Sequence, residues 1–505
     1  MPETYIELLR LFKEESRLHR DQIAHFQSTV DSLQATVDSL NQTITEQRAT
    51  IEELNRIIRE LTEQKNKDSH NSSKPPSSDG LKKPSPKSLR KPSGKKQGGQ
   101  PGHPGTNLMV IDKPTEVIKH MPELCSGCPH YQECLTHARV CETRHVIDAE
   151  VKVSVIAHEV LQVTDCPCHN GTLKGDFPSD VNAYVQYGVN LQALAIALNT
   201  VGAVSYNRAS EILRGMFNIP ISKGTISAMV SRLAGSLDGT MEQIRQALID
   251  SKLKHCDETG TRVDGKTNWV HVVCNDLYTY LTIHRKRGYD GMISGNVLPN
   301  CSDGILVHDC WVPYWKFPQF THALCNAHLL RELVGVAENH PDTEWATDFT
   351  NLLMEMKKVR DQAIAKGESC LSYYYINKFS KRYDEVIEKA YRENPEPEAT
   401  EKRRGRKKRG KVLALIDRLK KYKASICLFI KDLTVPFDNN PAERDIRMVK
   451  TKTKVSGCFR SDDGSVGYFK IMSYVGTAKK HGHNAYNAIL AGVKGHPECC
   501  LVLGS

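Results

Sequence analysis

Residues 252–309 constrain the fold more than any other stretch of this chain. KLKHCDET, NWVHVVCN and LYTYLTIH are three successive runs rich in Val, Tyr, Thr and Ile, the composition of strands. Turns are expected at Val263–Asp264–Gly265–Lys266 and at Asn275–Asp276. A short helix around Tyr289–Val297 leads into a fourth run, GILVHD. Two acids fall at telling places: Asp257 on the first run and Asp309 at the end of the fourth.

A third acid stands far downstream. In PFDNNPAERDIRMVK, Asn440 reads as the N-cap of a helix and Pro441 as its first residue, which puts Glu443 in the first turn. A three-strand meander, a helix and another strand bearing a carboxylate match the start of an RNase H-like fold, in which Asp257, Asp309 and Glu443 would converge. Two ionised carboxylates about 4 Å apart repel by ~4 kcal/mol at an effective dielectric near 20. Three therefore demand cations or protons. Hard oxygen ligands suit Mg²⁺ or Mn²⁺, and a pair of such ions can clamp the attacking and leaving oxygens of a phosphodiester. The bland alternative is that each acid is an ordinary surface or capping residue.

At 505 residues the chain has material for several domains, and its formal net charge of +10 favours polyanionic partners. Sixteen cysteines in such a length do not make a disulfide scaffold; in a reducing cytoplasm, paired cysteines are metal candidates first. The start, MPETYIELLRLFKEE, lacks a basic segment leading into an apolar one, and no apolar run is long enough to span a membrane. A cytoplasmic protein, nucleoid-associated in a prokaryote, is expected.

Residues 1–64 carry a heptad repeat. The a positions are Leu9, Ser16, Ile23, Val30, Val37, Ile44, Ile51 and Ile58, and the d positions Phe12, His19, Phe26, Leu33, Leu40, Gln47, Leu54 and Leu61. β-Branched a residues opposite Leu at d favour a parallel two-stranded coil, so a homodimer or higher oligomer is predicted, with a helical hairpin within one chain as the rival. Residues 65–106 are dominated by Pro, Ser, Gly and Lys and bury almost nothing; they read as a basic, disordered linker.

Residues 107–180 are predicted to form a small zinc-binding module. Cys125 and Cys128 make a C-x-x-C knuckle, which Cys166 with Cys168, or with His169, would complete as a structural Zn²⁺ site; Cys134 and Cys141 are competing ligands, and reduced, partly buried thiols are the alternative. Residues 181–250 read as helices. In SYNRASEILRGMFNIPISKGTISAMVSRLAG a first helix, a turn at Asn218–Ile219–Pro220 and a second helix starting at Ser222 or Thr225 resemble a helix-turn-helix, though helical pairs are common in any fold.

Several strings together resemble the insertion-sequence-66 family of transposases, a branch of the acidic-triad (DDE) enzymes: NSSKPPSSDG, GGQPGHPG, CDETGTRVDGKTNWVHVV, HALCNAHLLREL, PFDNNPAERDIRMVKTKTKVSGCFRSDDG and IMSYVGTAKKHGHNAYNAIL. They cover nearly the whole chain. The resemblance implies that Asp257, Asp309 and Glu443 bind two Mg²⁺ or Mn²⁺ ions and catalyse nicking and strand transfer of DNA. The partners it implies are the element's terminal repeats and target DNA, with room for accessory proteins of the same element. It also points to Cys325 and His328 as the family's cysteine-x-x-histidine signature, a possible support for the site. Lys450, two helical turns after Glu443, resembles a lysine that contacts DNA near the cut; Arg444 and Arg447 are further DNA candidates, and Arg447 is also spaced to pair with Glu443.

The catalytic core is thus expected to span 251–310 and 435–470, split by a mainly helical insertion, 311–434, and followed by a helical segment, 471–505. Within the insertion, KRRGRKKRGK is a basic loop suited to phosphates. The whole is a multidomain α-helical and α/β protein. The alternatives to a transposase are a catalytically silent DNA-binding regulator derived from one, or a scaffold whose acids are incidental.

Overall fold

The structure is a computed structural model that describes residues 3–67, 71, 113–148, 152–164, 168–169, 171–396 and 410–502. The basic linker and residues 402–409 of the basic loop therefore lie almost wholly outside the described residues, as does Cys166. Among the described residues no helix is long and apolar enough to cross a membrane.

The chain opens with one long helix, α1 (Glu3–Asn66), then a short helix α2 (Tyr131–His137) and a two-strand hairpin of β1 (Gln162–Val163) and β2 (Leu173–Lys174). Four helices follow, α3 (Val189–Asn199), α4 (Tyr206–Phe217), α5 (Lys223–Ser236) and α6 (Asp238–Asp250). Next come β3 (Leu253–Val263), β4 (Lys266–Cys274), β5 (Thr279–His284), α7 (Tyr289–Ile293), β6 (Ile305–His308) and β7 (Thr321–Leu324). Helices α8 (Asn326–Asn339), α9 (Trp345–Ala365), α10 (Tyr373–Glu393), α11 (Gly410–Lys421), α12 (Lys423–Ile426) and α13 (Leu428–Lys431) precede α14 (Asn440–Ser456), α15 (Asp462–Lys480) and α16 (Ala485–Val493). Backbone proximity groups these into two units: residues 1–86, 328–354 and 382–416, and residues 87–327, 355–381 and 417–505.

The second unit is built on a five-stranded sheet of order β5-β4-β3-β6-β7. β3, β4 and β5 run antiparallel, whereas β6 pairs parallel with β3, and β7 parallel with β6. The two predicted turns fall in place, the first with Asp264 and Gly265 both at positive φ, as a two-residue hairpin requires. The sheet extends beyond residue 310, where the sequence boundary was drawn: β7 comes from the stretch read as insertion, and α15 and α16, from the C-terminal part, pack into the same core.

Strand alternation sends side chains to two buried layers. On one face Val270, Val272, Cys274 and Leu281 meet Ala442, Ile446 and Val449 of α14 and Tyr468, Phe469 and Met472 of α15. On the other, Cys256, Val273 and Leu306 join a larger cluster with α3–α6, Tyr314 and Phe317. A central sheet covered on both sides explains why buried side chains occur on both faces of β4.

The helical pair read as helix-turn-helix is present, with Asn218 left-handed at the turn (φ 52°) and Ser222 capping α5 by accepting the Thr225 N–H at 3.0 Å. The inner face of α5 (Ile226, Met229, Val230, Leu233) is buried in the common core.

In the first unit, Trp345 and Phe349 are buried, the latter edge-on to Tyr383, and Glu393 accepts the backbone N–H groups of Glu344 and Trp345 at the start of α9. α1 is continuous for 64 residues, about 96 Å at 1.5 Å per residue. Its heptad residues from Ile23 to Leu61 are exposed along the whole length.

Candidate active site

The parallel pairing of β3 with β6 matches His255 to Val307. Two residues further on, Asp257 and Asp309 therefore stand level on neighbouring chain paths, Asp257 inside β3 and Asp309 just past the end of β6. Strands lie about 4.8 Å apart in this direction. Asp257 is paired with Val272 and so shares the face against which α14 packs. The backbone N–H of Glu258 donates to Asp257 Oδ1 at 2.9 Å, and that of Trp311 to Asp309 Oδ1 at 3.0 Å.

Glu443 arrives from α14. Ala442, Ile446 and Val449 form the buried stripe of that helix, at the i, i+4, i+7 spacing of one face. The helix starts one residue earlier than expected: its N-cap is Asn439, not Asn440. The Asn439 side chain does not cap. It is 2% exposed, donates to the Cys256 carbonyl at 2.7 Å and bonds His255 Nδ1 through Oδ1 at 2.8 Å. Its backbone N–H donates to Cys325 Sγ at 3.2 Å. The start of α14 is thus fastened to β3 one residue before Asp257, and Glu443 sits one turn along.

Charge crowding follows. Burial pushes the Asp257 carboxyl well above the ordinary carboxylate range, and the negative charges of Glu258, Asp309 and Glu443 push it further, against the opposing bond from the Glu258 N–H. Asp309 and Glu443 both lie within electrostatic reach of Asp257. A carboxylate that resists ionisation for lack of positive charge is what a divalent cation would relieve.

Glu258, absent from the sequence reading, is the most buried carboxylate here, its side chain 1% exposed. It projects to the opposite sheet face from Asp257, pairing with His271. Burial first, then Asp309, raise its pKa to about 7, while Tyr314 and Arg287 act to lower it. A Glu at a strand position whose neighbours in alternation are apolar was the available signal.

The other predicted residues fare differently. Lys450 is half-buried and donates one of its three N–H groups to the Gly260 carbonyl at 3.1 Å. Arg444 and Arg447 are exposed; Arg447 forms no ion pair with any described residue, Glu443 included. Cys325 is buried, just before α8. His328 follows in the first turn of α8. Cys125, Cys128 and Cys168 are free thiols and form no metal-ligating group among the described residues. Cys128 N–H does donate to the Cys125 carbonyl at 3.2 Å, a tight turn bringing the two close.

Compared with models of protein families, residues 184–466 match the one described as "Transposase IS66 family". Residues 15–109 match another, "Family of unknown function (DUF6444)". No curated protein matches the chain.

Proposed function

This chain belongs to the IS66 transposase family, and from that premise we propose that it nicks DNA at the ends of an insertion element and joins the freed 3′ ends to target DNA. Asp257, Asp309 and Glu443 are the acidic triad in this reading. The observation that carries it is the β3–β6 register, which sets the two aspartates level, with Glu443's helix bonded to β3 beside them. The strand order, three antiparallel strands followed by two parallel ones, supports an RNase H-like core.

The all-oxygen acidic cluster fits two Mg²⁺ or Mn²⁺ ions, held by Asp257, Asp309 and Glu443; when bound they would neutralise the acids and polarise the scissile phosphate. The chain's own residues do the rest. Backbone N–H groups of Glu258 and Trp311 orient one oxygen of each aspartate. Asn439 sets the reach of Glu443. Arg444 and Arg447, exposed on the turn after Glu443, offer guanidinium groups to the DNA backbone. Lys450, which donates one N–H to Gly260, has two more to offer beside them. No Ser or Tyr nucleophile is needed, since phosphoryl transfer calls for positioning and charge neutralisation.

Outside the core, α1 would pair with a second copy of the chain, and Cys125, Cys128, Cys166 and Cys168 would hold a structural Zn²⁺.

The test is to incubate the purified chain with Mg²⁺ or Mn²⁺ and labelled element-end duplex. Nicked and joined products are expected, lost in Asp257→Ala, Asp309→Ala and Glu443→Ala with duplex binding retained. Binding without products in the wild type would instead identify a silent regulator, and products that persist in all three variants would remove the triad.

A further inference from the structure

Glu258 joins the two halves of the acidic pair. Its backbone N–H serves Asp257 on one face of β3, while its side chain crosses to the other face and takes hold of the segment that follows Asp309. Oε1 accepts from Arg287 Nε at 3.1 Å and Nη2 at 2.8 Å, and Oε2 accepts from the Tyr314 hydroxyl at 2.6 Å. Arg287, in the link between β5 and α7, lies with its guanidinium 4.8 Å from the centre of the Trp269 ring and 4.1 Å from that of Trp311. Trp311 in turn donates its backbone N–H to Asp309 Oδ1.

We infer that Glu258 is a positioning residue: by gripping Tyr314 directly and Trp311 through Arg287, it fixes the loop after Asp309 and so keeps both aspartates in register to bind metal. The chemistry fits that task better than simple packing. Two N–H groups converging on one carboxylate oxygen orient the guanidinium plane, and a guanidinium lying against two indoles sets the place of each. A buried carboxylate with three charge-assisted or hydroxyl bonds is rigid because every bond lost leaves a buried polar group unmet. Tyr314 is 1% exposed and stacks on His308, at the end of β6, with ring centres 4.6 Å apart, so the grip reaches the strand itself. Glu258 touches neither metal nor DNA in this scheme; it acts through the two aspartates.

The inference rests on Asp257 and Asp309 being metal ligands, and the experiment separates the two ideas. Mn²⁺ binding by the full-length protein is measured from the signal of unbound Mn²⁺, and nicking is followed as Mn²⁺ is raised. Glu258→Ala is expected to weaken the Asp309-dependent Mn²⁺ binding about tenfold, the scale seen when a partner of a metal ligand is removed. Nicking should recover at saturating Mn²⁺, which a merely misfolded variant would not do. Glu258→Gln, which keeps an acceptor oxygen for Arg287, should regain most of the affinity. Arg287→Ala, on a half-exposed side chain, should weaken binding in the same direction and covers the case in which Glu258→Ala does not fold. Asp309→Ala is the reference. If it loses Mn²⁺ while Glu258→Ala and Arg287→Ala bind as the wild type does, the positioning role is wrong; if Asp309→Ala itself binds normally, the triad reading falls and this inference with it.

Discussion

Asn439 Nδ2 lies 2.7 Å from the carbonyl oxygen of Cys256, so the residue that begins helix α14 is bonded to the residue that precedes Asp257. A cap residue would ordinarily spend its side chain on the helix's own N–H groups. Here it is spent on the sheet, which converts the position of a strand into the position of a helix. Because Glu443 follows within the first turn, the distance between the first and third acids of the site depends on this contact.

Asn439→Ala should therefore damage both stability and activity. It leaves the Cys256 carbonyl and the His255 imidazole without their partner, and unmet buried groups cost about 1–3 kcal/mol each. Thermal unfolding should shift down accordingly, and DNA nicking should fall further than the lost folded fraction explains. A variant with wild-type nicking per folded molecule would show that Glu443 is placed by other contacts.

Asp445, two residues past Glu443, has a structural task of its own. Its Oδ2 accepts from Lys480 Nζ at 2.6 Å and from the Thr279 hydroxyl at 2.6 Å, and Lys480 also donates to the carbonyls of Asn275 and Tyr278. Both partners are largely buried, at 16% and 18% exposed. Removing one member of such a pair strands the other's charge, so Asp445→Ala should destabilise the chain by about 3–5 kcal/mol in urea unfolding. The double variant Asp445→Leu/Lys480→Met should lose less than the two single changes added together. Additive losses would mean that the pair contributes no coupling.

The fold should lose stability in mild acid through His271. Burial is the first cause that lowers its pKa to about 4, against 6.5 for an unfolded histidine, with the Lys286 carbonyl opposing. The unfolded chain takes up the proton first as pH drops below 6.5. The contribution is thus complete above that pH and is lost as pH falls towards 4. Between pH 7.5 and 5 the loss amounts to about 2 kcal/mol. Gly291 packs against one edge of the ring so closely that a Cβ there would collide with it. His271→Gln, which cannot charge, should flatten the stability profile over this range; an unchanged slope would place the acid sensitivity elsewhere.

Much of this architecture is legible in the sequence where it is written as period or punctuation. β-Branched and aromatic residues mark β4 and β5, the turn at Asp264–Gly265 separates β4 from β3, and the apolar spacing of Ala442, Ile446 and Val449 marks α14. The heptads of α1 are plainer still. What could not be read depends on which residues meet after the sheet forms. THAL is too short and too mixed to declare itself a strand, and β7 exists because β6 offers it an edge. Asn439 looks like one more polar residue in DNN until it is seen against Cys256. Glu258 looks like a companion of Asp257, when alternation sends it to the other face to meet Arg287 and Tyr314. Lys450 carries a contact that spacing does not show: its ammonium donates to the Gly260 carbonyl of β3.

The exposed seam of α1 carries the last prediction. Leu33, Leu40 and Leu54 are 60%, 57% and 53% exposed, and the apolar side chains of the a and d positions line the same stripe from Ile23 to Leu61, broken only at Gln47. Burying a leucine is worth about 1.5–3 kcal/mol, so a stripe of this length left in water forgoes a large stabilisation that a second identical helix would supply. Val and Ile at the a positions opposite Leu at d favour two parallel strands over three or four. The full-length protein should therefore run as a dimer, or a multiple of one, in light scattering. Leu40→Asp combined with Leu54→Asp, which puts charges into the middle of the seam, should give monomers and lower the helical signal by roughly the share that α1 contributes, because a lone helix of this composition has little to hold it. The core, with its own sheet and buried helices, should unfold at an unchanged temperature in that variant. A wild-type chain that scatters as a monomer would mean that α1 finds its cover within the same chain, and a double variant that stays dimeric would place the dimer contact outside this seam.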